Sequence, residues 1–466
     1  MRPLHYPQNL PDSGGKDVAA RRIHDWRIQF LTDLGETLKI TKPVTRRAAL
    51  LAGVGLTVGS LIVGCTGPSA TTSSGPITLE YWDLINPAND DPRGRDLAAN
   101  IKSFEAANPN VKIKVNTLPW ATIDPKLMQA ANAGNSPDVV RVLDTDLPKH
   151  VAAGNVLPLD DLIPEEEKND WLLGWESLTF EGKKMALPLE YRSEALYYRT
   201  DFIGGDKPPA TWDEMLASAE AAKAKGRSGL IVGLSSGAQA ATPGQVFVSY
   251  IWAEGGEVFH PDGKAAFNSP EGVRAFERFA SLVKKGVTPR EVVSYAYEDV
   301  YQSITAGASH YALLGSHRYA TAVAASAGGA SLKLAPLPGI DGSGPAPANV
   351  FGWTVALGKD SKHPEEAAKF MRHMTSAESQ LARVQKTGEL PTRDSVYNDP
   401  WFATSEGAAA NTLAEWFRSS GRSLNAGEHF VEASQLWAEA LQKMVVEGAD
   451  AKTVADEAAK AYDELL

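Results

Sequence analysis

"VKIKVNTLPWATIDPKLMQAANAGNSPDVVRVL", Val111 to Leu143, changes its apolar period twice. "VKIKVNTL" (Val111–Leu118) alternates apolar with polar residues, as a half-buried strand does. "TIDPKLMQAANAG" (Thr122–Gly134) has helical spacing and stops at a glycine, and "PDVVRVL" (Pro137–Leu143) reads as a buried strand. Working outward, "ITLEYWDL" (Ile77–Leu84) is a first strand rich in β-branched and aromatic residues. "DLAANIKSFEAANPN" (Asp96–Asn110) then puts Leu97, Ile101 and Phe104 at helical spacing and breaks at Asn108-Pro109. Strand, helix, strand, helix, strand is the order of a wound α/β sheet, because parallel neighbours need a crossover long enough to hold a helix.

The alternation resumes with "GLIVGL" (Gly229–Leu234), "YIWAEGG" (Tyr250–Gly256) and "EGVRAFERFASLVKKG" (Glu271–Gly286), and alanine-rich helices fill the C-terminal region. No internal repeat is visible. Glycine and proline punctuate the chain at "ALPLEYRSEALYY" (Ala186–Tyr198), "GSGPAPANVFGWTVAL" (Gly342–Leu357) and "TGELPTRDS" (Thr387–Ser395). Three breaks between two α/β halves predict two lobes joined by hinge crossovers, with ligand held in a cleft at the C-terminal ends of strands.

A chain of 466 residues supports two or three domains, and its mean hydropathy of −0.23 is that of a globular protein rather than a multi-span membrane protein. Residues 1–64 carry nine basic and five acidic side chains, so the remainder holds −15 against the overall −11. An acidic body without a basic stripe does not suit a phosphate backbone, which argues against nucleic acid as a partner.

A single cysteine, Cys65, excludes an internal disulfide. It ends the uncharged run "AALLAGVGLTVGSLIVG" (Ala48–Gly64), which follows Thr45-Arg46-Arg47. Basic residues, an apolar segment and small residues form the order of an export signal. A retained anchor helix is the alternative. Arg46 and Arg47 resemble a twin-arginine signal, although Ala49 stands where that pattern favours a bulky apolar residue. The basic region before it is long, which leaves a misplaced start and the general secretion route open. Ile62-Val63-Gly64-Cys65 resembles the lipobox of bacterial lipoproteins, which implies a lipid with acyl chains such as palmitate on Cys65. Each buried methylene adds about 0.8 kcal/mol of membrane affinity. "TGPSATTSSG" after it is a flexible tether. The chain is thus expected to be exported and held at the outer face of the cell membrane, or its periplasmic side, by the lipid on Cys65.

Several segments together resemble the family-1 extracellular solute-binding proteins of carbohydrate ABC importers, the group containing maltose-binding proteins. "FEAANPNVKIKV" (Phe104–Val115), "GNSPDVV" (Gly134–Val140) and "AAGNVLPLDDL" (Ala152–Leu162) carry the likeness early. "KPPATWDEM" (Lys207–Met215), "WAEGGEVFHPDGKAAFNSPEGVRAFERF" (Trp252–Phe279), "GWTVALGKDSKHPEEAAKFMRHMTS" (Gly352–Ser376) and "GELPTRDS" (Gly388–Ser395) carry it further. The resemblance implies a periplasmic-binding-protein fold (type II-like), no catalysis, no cofactor, and permease subunits as partners of a monomer. It assigns 77–190 with 354–393 to one lobe and 191–353 with 394–466 to the other, after a signal at 1–64 and a tether at 65–76.

A sugar offers flat C–H faces and many hydroxyls, so its site needs aromatic platforms and paired polar groups. Trp82 and Asp83 end the first strand, where family members often meet ligand; packing on the lobe is the alternative for the tryptophan. Asp144 follows another strand and could equally cap a helix. Tyr191 and Arg192 fall in the first crossover, Trp353 in the second, and Arg393 after the third, where it could reach the cleft or pair on the surface. Trp252 ends an apolar helix that could bury it. His317 and Arg318, with Tyr319 beside them, stand where the family often places an aromatic platform.

Three other readings compete. Gly233-Leu234-Ser235-Ser236-Gly237 fits G-x-S-x-G, so a serine hydrolase would use Ser235, with Asp262 and His310 or His317. Tyr197-Tyr198 could suggest a ferric-iron binder, though no Cys cluster, H-E-x-x-H or calcium loop appears. Arg192, Arg318 and Arg393 would suit glycerol phosphate or another anion.

Overall fold

The computed structural model describes residues 75–466 apart from 174, 224, 237–240, 327 and 425–426, so Arg46, Arg47 and Cys65 lie outside the described residues. β1 (Ile77–Asp83) runs parallel to β2 (Val111–Thr117) over its whole length, and to β3 (Val139–Leu143) on its other side. The helices between them are Pro92–Ala107 and Trp120–Asn132. The first is started by Asp91, whose carboxylate accepts the backbone N–H groups of Arg93 and Gly94. The second stops before Gly134, whose φ of +70° suits a residue without Cβ.

β4 (Val156–Leu157) lies at the far edge, and β5 (Thr179–Phe180) with β6 (Lys183–Lys184) forms a small hairpin. β7 (Ala186–Arg192) is separated by Ser193 alone from β8 (Glu194–Arg199), the first strand of a second sheet. That sheet adds β9 (Ser228–Ile231), β10 (Ser309–Gly315) and β11 (Leu332–Ala335), in the order β11-β8-β10-β9. β12 (Ala348–Asn349) is followed by β13 (Phe351–Gly358), which returns to the first sheet to give β2-β1-β3-β13-β4 with β7 also on β13; β14 (Gly421–Arg422) pairs with β12.

Strand periodicity of two explains the first lobe's two cores. Leu79, Tyr81, Val139, Leu187 and Val355 pack on one face with Phe104, Phe370 and Met371. The intervening Trp82, Val140, Val142, Ala186 and Ala356 pack on the other with Ile123 and Leu127. Helices Trp212–Lys223, Ala241–Ala253 and Tyr297–Thr305 pack on the second sheet, and Pro270–Lys284 and Phe430–Val446 pack on Ala241–Ala253. Its aromatic core brings Trp212 within 4.7 Å of Tyr250, and Phe247 within 4.4 Å of Phe276.

The segments expected as glycine- and proline-punctuated breaks are largely strand. β7 and β8 are almost continuous through Ala186–Arg199, and β13 fills the end of the second break. Proline is tolerated inside β7 because the register with β13 slips between Trp353 and Thr354, beside Pro188, which has no N–H to give. The three crossings lie side by side at Tyr191, which pairs with Gly352 on one flank and with Leu390 on the other. A Cβ on Gly352 would stand 1.9 Å from the Glu190 carbonyl oxygen, so only glycine permits this approach.

Candidate functional site

Alternation in "EYRSE" puts Glu190, Arg192 and Glu194 on one side of the extended crossing, and Tyr191 and Ser193 on the other. All three charged residues are buried. Arg192 Nη2 donates to Glu190 Oε1, which also lies 3.6 Å from Arg141 Nη2. Arg141 in turn is 3.5 Å from Asp83 and stacks on Trp353 at 5.1 Å. Arg93, at the start of its helix, pairs with the buried Glu389 at 2.8 Å, and Arg383 with Asp96 at 3.3 Å. Asp83, Arg93, Asp96, Arg141, Arg383 and Glu389 line a narrow polar pocket.

Asp144 clamps the second crossing from the end of β3. Its Oδ2 accepts from Gly352 N–H at 3.0 Å, while its own N–H donates to the Gly352 carbonyl. From the second lobe, Tyr297 opens the helix Tyr297–Thr305 and stacks on His317 at 5.9 Å, its hydroxyl 3.3 Å from His317 Nε2. An aromatic surface therefore does face this region, but Tyr297 supplies it together with His317. Arg318 is held by both oxygens of Glu298 and lies over Tyr301 at 3.9 Å.

The electrostatics follow from burial. Burial pushes the Glu194 carboxyl up to about 8 against the pull of Arg192. Burial likewise raises Asp144 to about 7, opposed by the N–H groups of Gly352 and Thr145 and by Arg192. Arg192 falls to about 9, through burial and then the charge of Arg93. His317 is held well below its ordinary value by burial and by Arg192, Arg93 and Arg318, so it is neutral. For Glu389 burial acts upward, but Arg93, Arg141, Arg383 and Arg192 outweigh it and hold the carboxylate ionised.

The structure thus brings together Asp144, Tyr191, Arg192, His317, Arg318 and Trp353 around the crossings. Among the described residues, Asp144 Oδ1, Glu190 Oε2, Arg192 Nε, Glu194 Oε2 and His317 Nδ1 are buried atoms without a hydrogen-bond partner. Other predicted residues sit elsewhere or are turned inward. Trp82 packs in the lobe core and donates its indole N–H to Glu80 at 2.7 Å. Asp83 accepts from the Tyr81 hydroxyl and from Ile85 N–H. Trp252 lies under Arg422 at 4.4 Å in a surface groove with Phe259 and Tyr462. Arg393 donates to the Thr375 carbonyl at 2.7 Å and covers Trp171 at 4.2 Å, close to Glu167 and Asp170. Sequence reading missed Arg93, Glu190, Glu194, Tyr297 and Glu389. The two glutamates had a signal, the two-residue spacing on either side of Arg192; Tyr297 had none.

The competing chemistries find little support in the same geometry. Gly233 of the G-x-S-x-G run is explained by packing, since a Cβ there would lie 2.8 Å from the Tyr295 carbonyl oxygen. The run's last glycine lies outside the described residues. Both hydroxyls that an iron ligand set would need are committed: Tyr197 donates to the Gly315 carbonyl and Tyr198 to that of Asp206, each at 2.8 Å. Among the described residues no group of three or more His, Cys, Asp or Glu could hold a metal, and no helix is long and apolar enough to cross a membrane.

Residues 99–410 match the family model of bacterial extracellular solute-binding proteins. A binding protein of Brucella abortus is 28% identical over 319 residues, covering 67% of this chain and 76% of that one. An ABC transporter-binding protein of Deinococcus radiodurans is 28% identical over 278 residues, covering 53% and 62%. Among solved structures, the cyclic alpha-maltosyl-1,6-maltose binding protein from Arthrobacter globiformis matches with a TM-score of 0.73 at 22% identity, over 84% of this chain and 99% of that one. Maltose-bound MalE3 of T. maritima matches with 0.71 at 23% identity, over 84% and 100%. At such identities the likeness establishes the fold, two α/β lobes of the periplasmic-binding-protein kind. With two thirds of its length matched to the family model, the chain belongs to the bacterial extracellular solute-binding proteins.

Proposed function

We propose that the protein is the substrate-binding subunit of an ABC importer, capturing an uncharged sugar or oligosaccharide between its lobes and handing it to the permease. The observation that carries the sugar reading is the buried row Glu190-Arg192-Glu194, with donors and acceptors that lack partners beside an aromatic pair. A polyhydroxyl ligand satisfies such atoms, and burying them unsatisfied costs about 1–3 kcal/mol each. The names of the Deinococcus relative and of the maltose-binding structural neighbours point the same way. An anionic ligand is disfavoured because each candidate arginine already has its carboxylate: Glu190 for Arg192, Glu298 for Arg318, and Glu167 with Asp170 for Arg393.

On this reading the protein acts as a monomer, exported by the signal at 1–64, through the twin-arginine or the general secretion route, and anchored through a lipid on Cys65. The lobes, 77–190 with 354–393 and 191–353 with 394–466, close on ligand by bending at the three crossings. Ligand that touches both lobes shifts the population toward the closed form. Melting of the purified protein against mono- and oligosaccharides, glycerol phosphates and ferric iron tests the substrate class. A saturating sugar at a hundredfold excess over Kd adds about 2.7 kcal/mol. A shift with phosphates or iron alone overturns the carbohydrate reading. Loss of incorporated radiolabelled palmitate in Cys65→Ala tests the anchor.

A further inference from the structure

Glu194 stands apart from the other acids at the crossings: Asp144, also without an ion pair, accepts the Gly352 N–H, and the rest have cations. Asp83 has Arg141, Asp96 has Arg383, Glu389 has Arg93, and Glu190 has both Arg141 and Arg192. Among the described residues no cation lies within ion-pair distance of Glu194, although its side chain is buried at 3% exposure and its Oε2 has no hydrogen-bond partner. It opens β8 just beyond the hinge residue Ser193 and pairs with Gly315 of β10. The polar groups facing it are accounted for from each packed element. Arg192, two residues earlier, donates to Glu190. Tyr197 on the same strand donates to the Gly315 carbonyl. Tyr297 meets His317, which is neutral, and Arg318 is committed to Glu298.

We infer that Glu194 meets the bound sugar as a carboxylic acid, donating its O–H to a ligand oxygen, and that it thereby selects ligands presenting an acceptor at the hinge. This rests on the carbohydrate reading above. An isolated buried carboxylate is costly to keep ionised, and the un-ionised group both donates and accepts, as a hydroxyl partner requires. Burial pushes its pKa to about 8, so the acid form prevails at neutral pH. The consequence is proton-linked binding: a sugar that needs the proton on Glu194 binds about tenfold more weakly at pH 9 than at pH 7.

The test has two readings on the whole protein. Carboxyl-carbon NMR of glutamate-labelled protein, with Glu194→Gln to assign the signal, is expected to show one resonance titrating near pH 8 that the variant lacks. A midpoint at or below pH 5 overturns the inference, and failure of the variant to fold leaves the wild-type titration to decide. Calorimetry with maltotetraose and with the other panel sugars then compares pH 7 and pH 9. The expected result is a weakening in the wild type about tenfold greater than in Glu194→Gln, whose amide keeps both a donor and an acceptor and in which Asp144 and Arg192 still titrate across this range. Sugar binding that is independent of pH, or that tightens with pH as a cationic ligand would, overturns the inference and leaves the carbohydrate reading standing. A titration near pH 8 with no sugar bound overturns the carbohydrate reading, and with it the assignment of Glu194 to a sugar.

Discussion

Two arginines sit on crossings between the same two lobes, and the chain puts them to different use. Arg192, on the first crossing, lies among Glu190, Glu194 and Asp144, with its Nε and several surrounding oxygens lacking partners. Arg393, on the third, gives Nε to the Thr375 carbonyl, covers Trp171 and faces Glu167 and Asp170. One is a buried cation with capacity left for a ligand; the other is a tie within the first lobe. Proximity to a hinge therefore does not place a side chain in the cleft. The face of the ribbon from which it projects does.

The sharpest way to break this comparison is to remove each arginine. Arg192→Met leaves Glu190, a residue of 0% exposure, with the more distant Arg141 alone, and is expected to lose about 3 kcal/mol in urea unfolding together with measurable sugar affinity. If sugar affinity survives at the wild-type level, Arg192 is a structural ion like Arg393 and the contrast collapses. Gly352→Ala probes the ribbon that carries both. The 1.9 Å approach to the Glu190 carbonyl must open, at roughly 2–4 kcal/mol, and the hinge shifts with it. Wild-type stability in this variant would show that the crossings are loosely held.

Asp144 sharpens the comparison through pH. Its folded pKa of about 7 is above the ordinary 3.8, so the stability linked to its proton is complete below pH 4 and lost as pH rises through 7. Between pH 4 and pH 8 the wild type is expected to lose about 2–3 kcal/mol relative to Asp144→Asn, read as diverging urea midpoints. Parallel curves would place the carboxyl in water. The smallest effect belongs to Arg393→Met: about 1–2 kcal/mol of stability, from the Thr375 hydrogen bond and the Trp171 contact, with sugar affinity within twofold of wild type.

Much of the fold was legible because it rests on short-range signals. The switches of period around Val111–Leu143 give β2, its following helix and β3, and Gly134 marks the helix end where the structure has φ +70°. The crossings were harder. Pro188 and Gly352 read as breakers, yet a register slip absorbs the missing N–H of Pro188, and the absence of a Cβ lets β13 lie against β7. For the charged cluster at the crossings, the sequence offered Asp144 at a strand end and Arg192 in the first crossover, but could not say that Trp82 turns into a core or that Trp252 lies under Arg422.

The sequence by itself determined the α/β class and the two-lobed organisation, because these follow from local periodicity and from the order of elements along the chain, and it pointed to the family through the resemblance of its segments. Only the tertiary structure decided which charges gather at the crossings. Arg93, Asp144, Arg192, Glu194, Tyr297 and Glu389 come from segments separated by up to 296 positions in the chain. Their chemistry depends on burial and on neighbours that no local pattern encodes. Glu194 and Glu389 show why: both are buried glutamates, yet among the described residues one has no cation within ion-pair distance and is pushed up by burial, while the other meets Arg93 and keeps its charge.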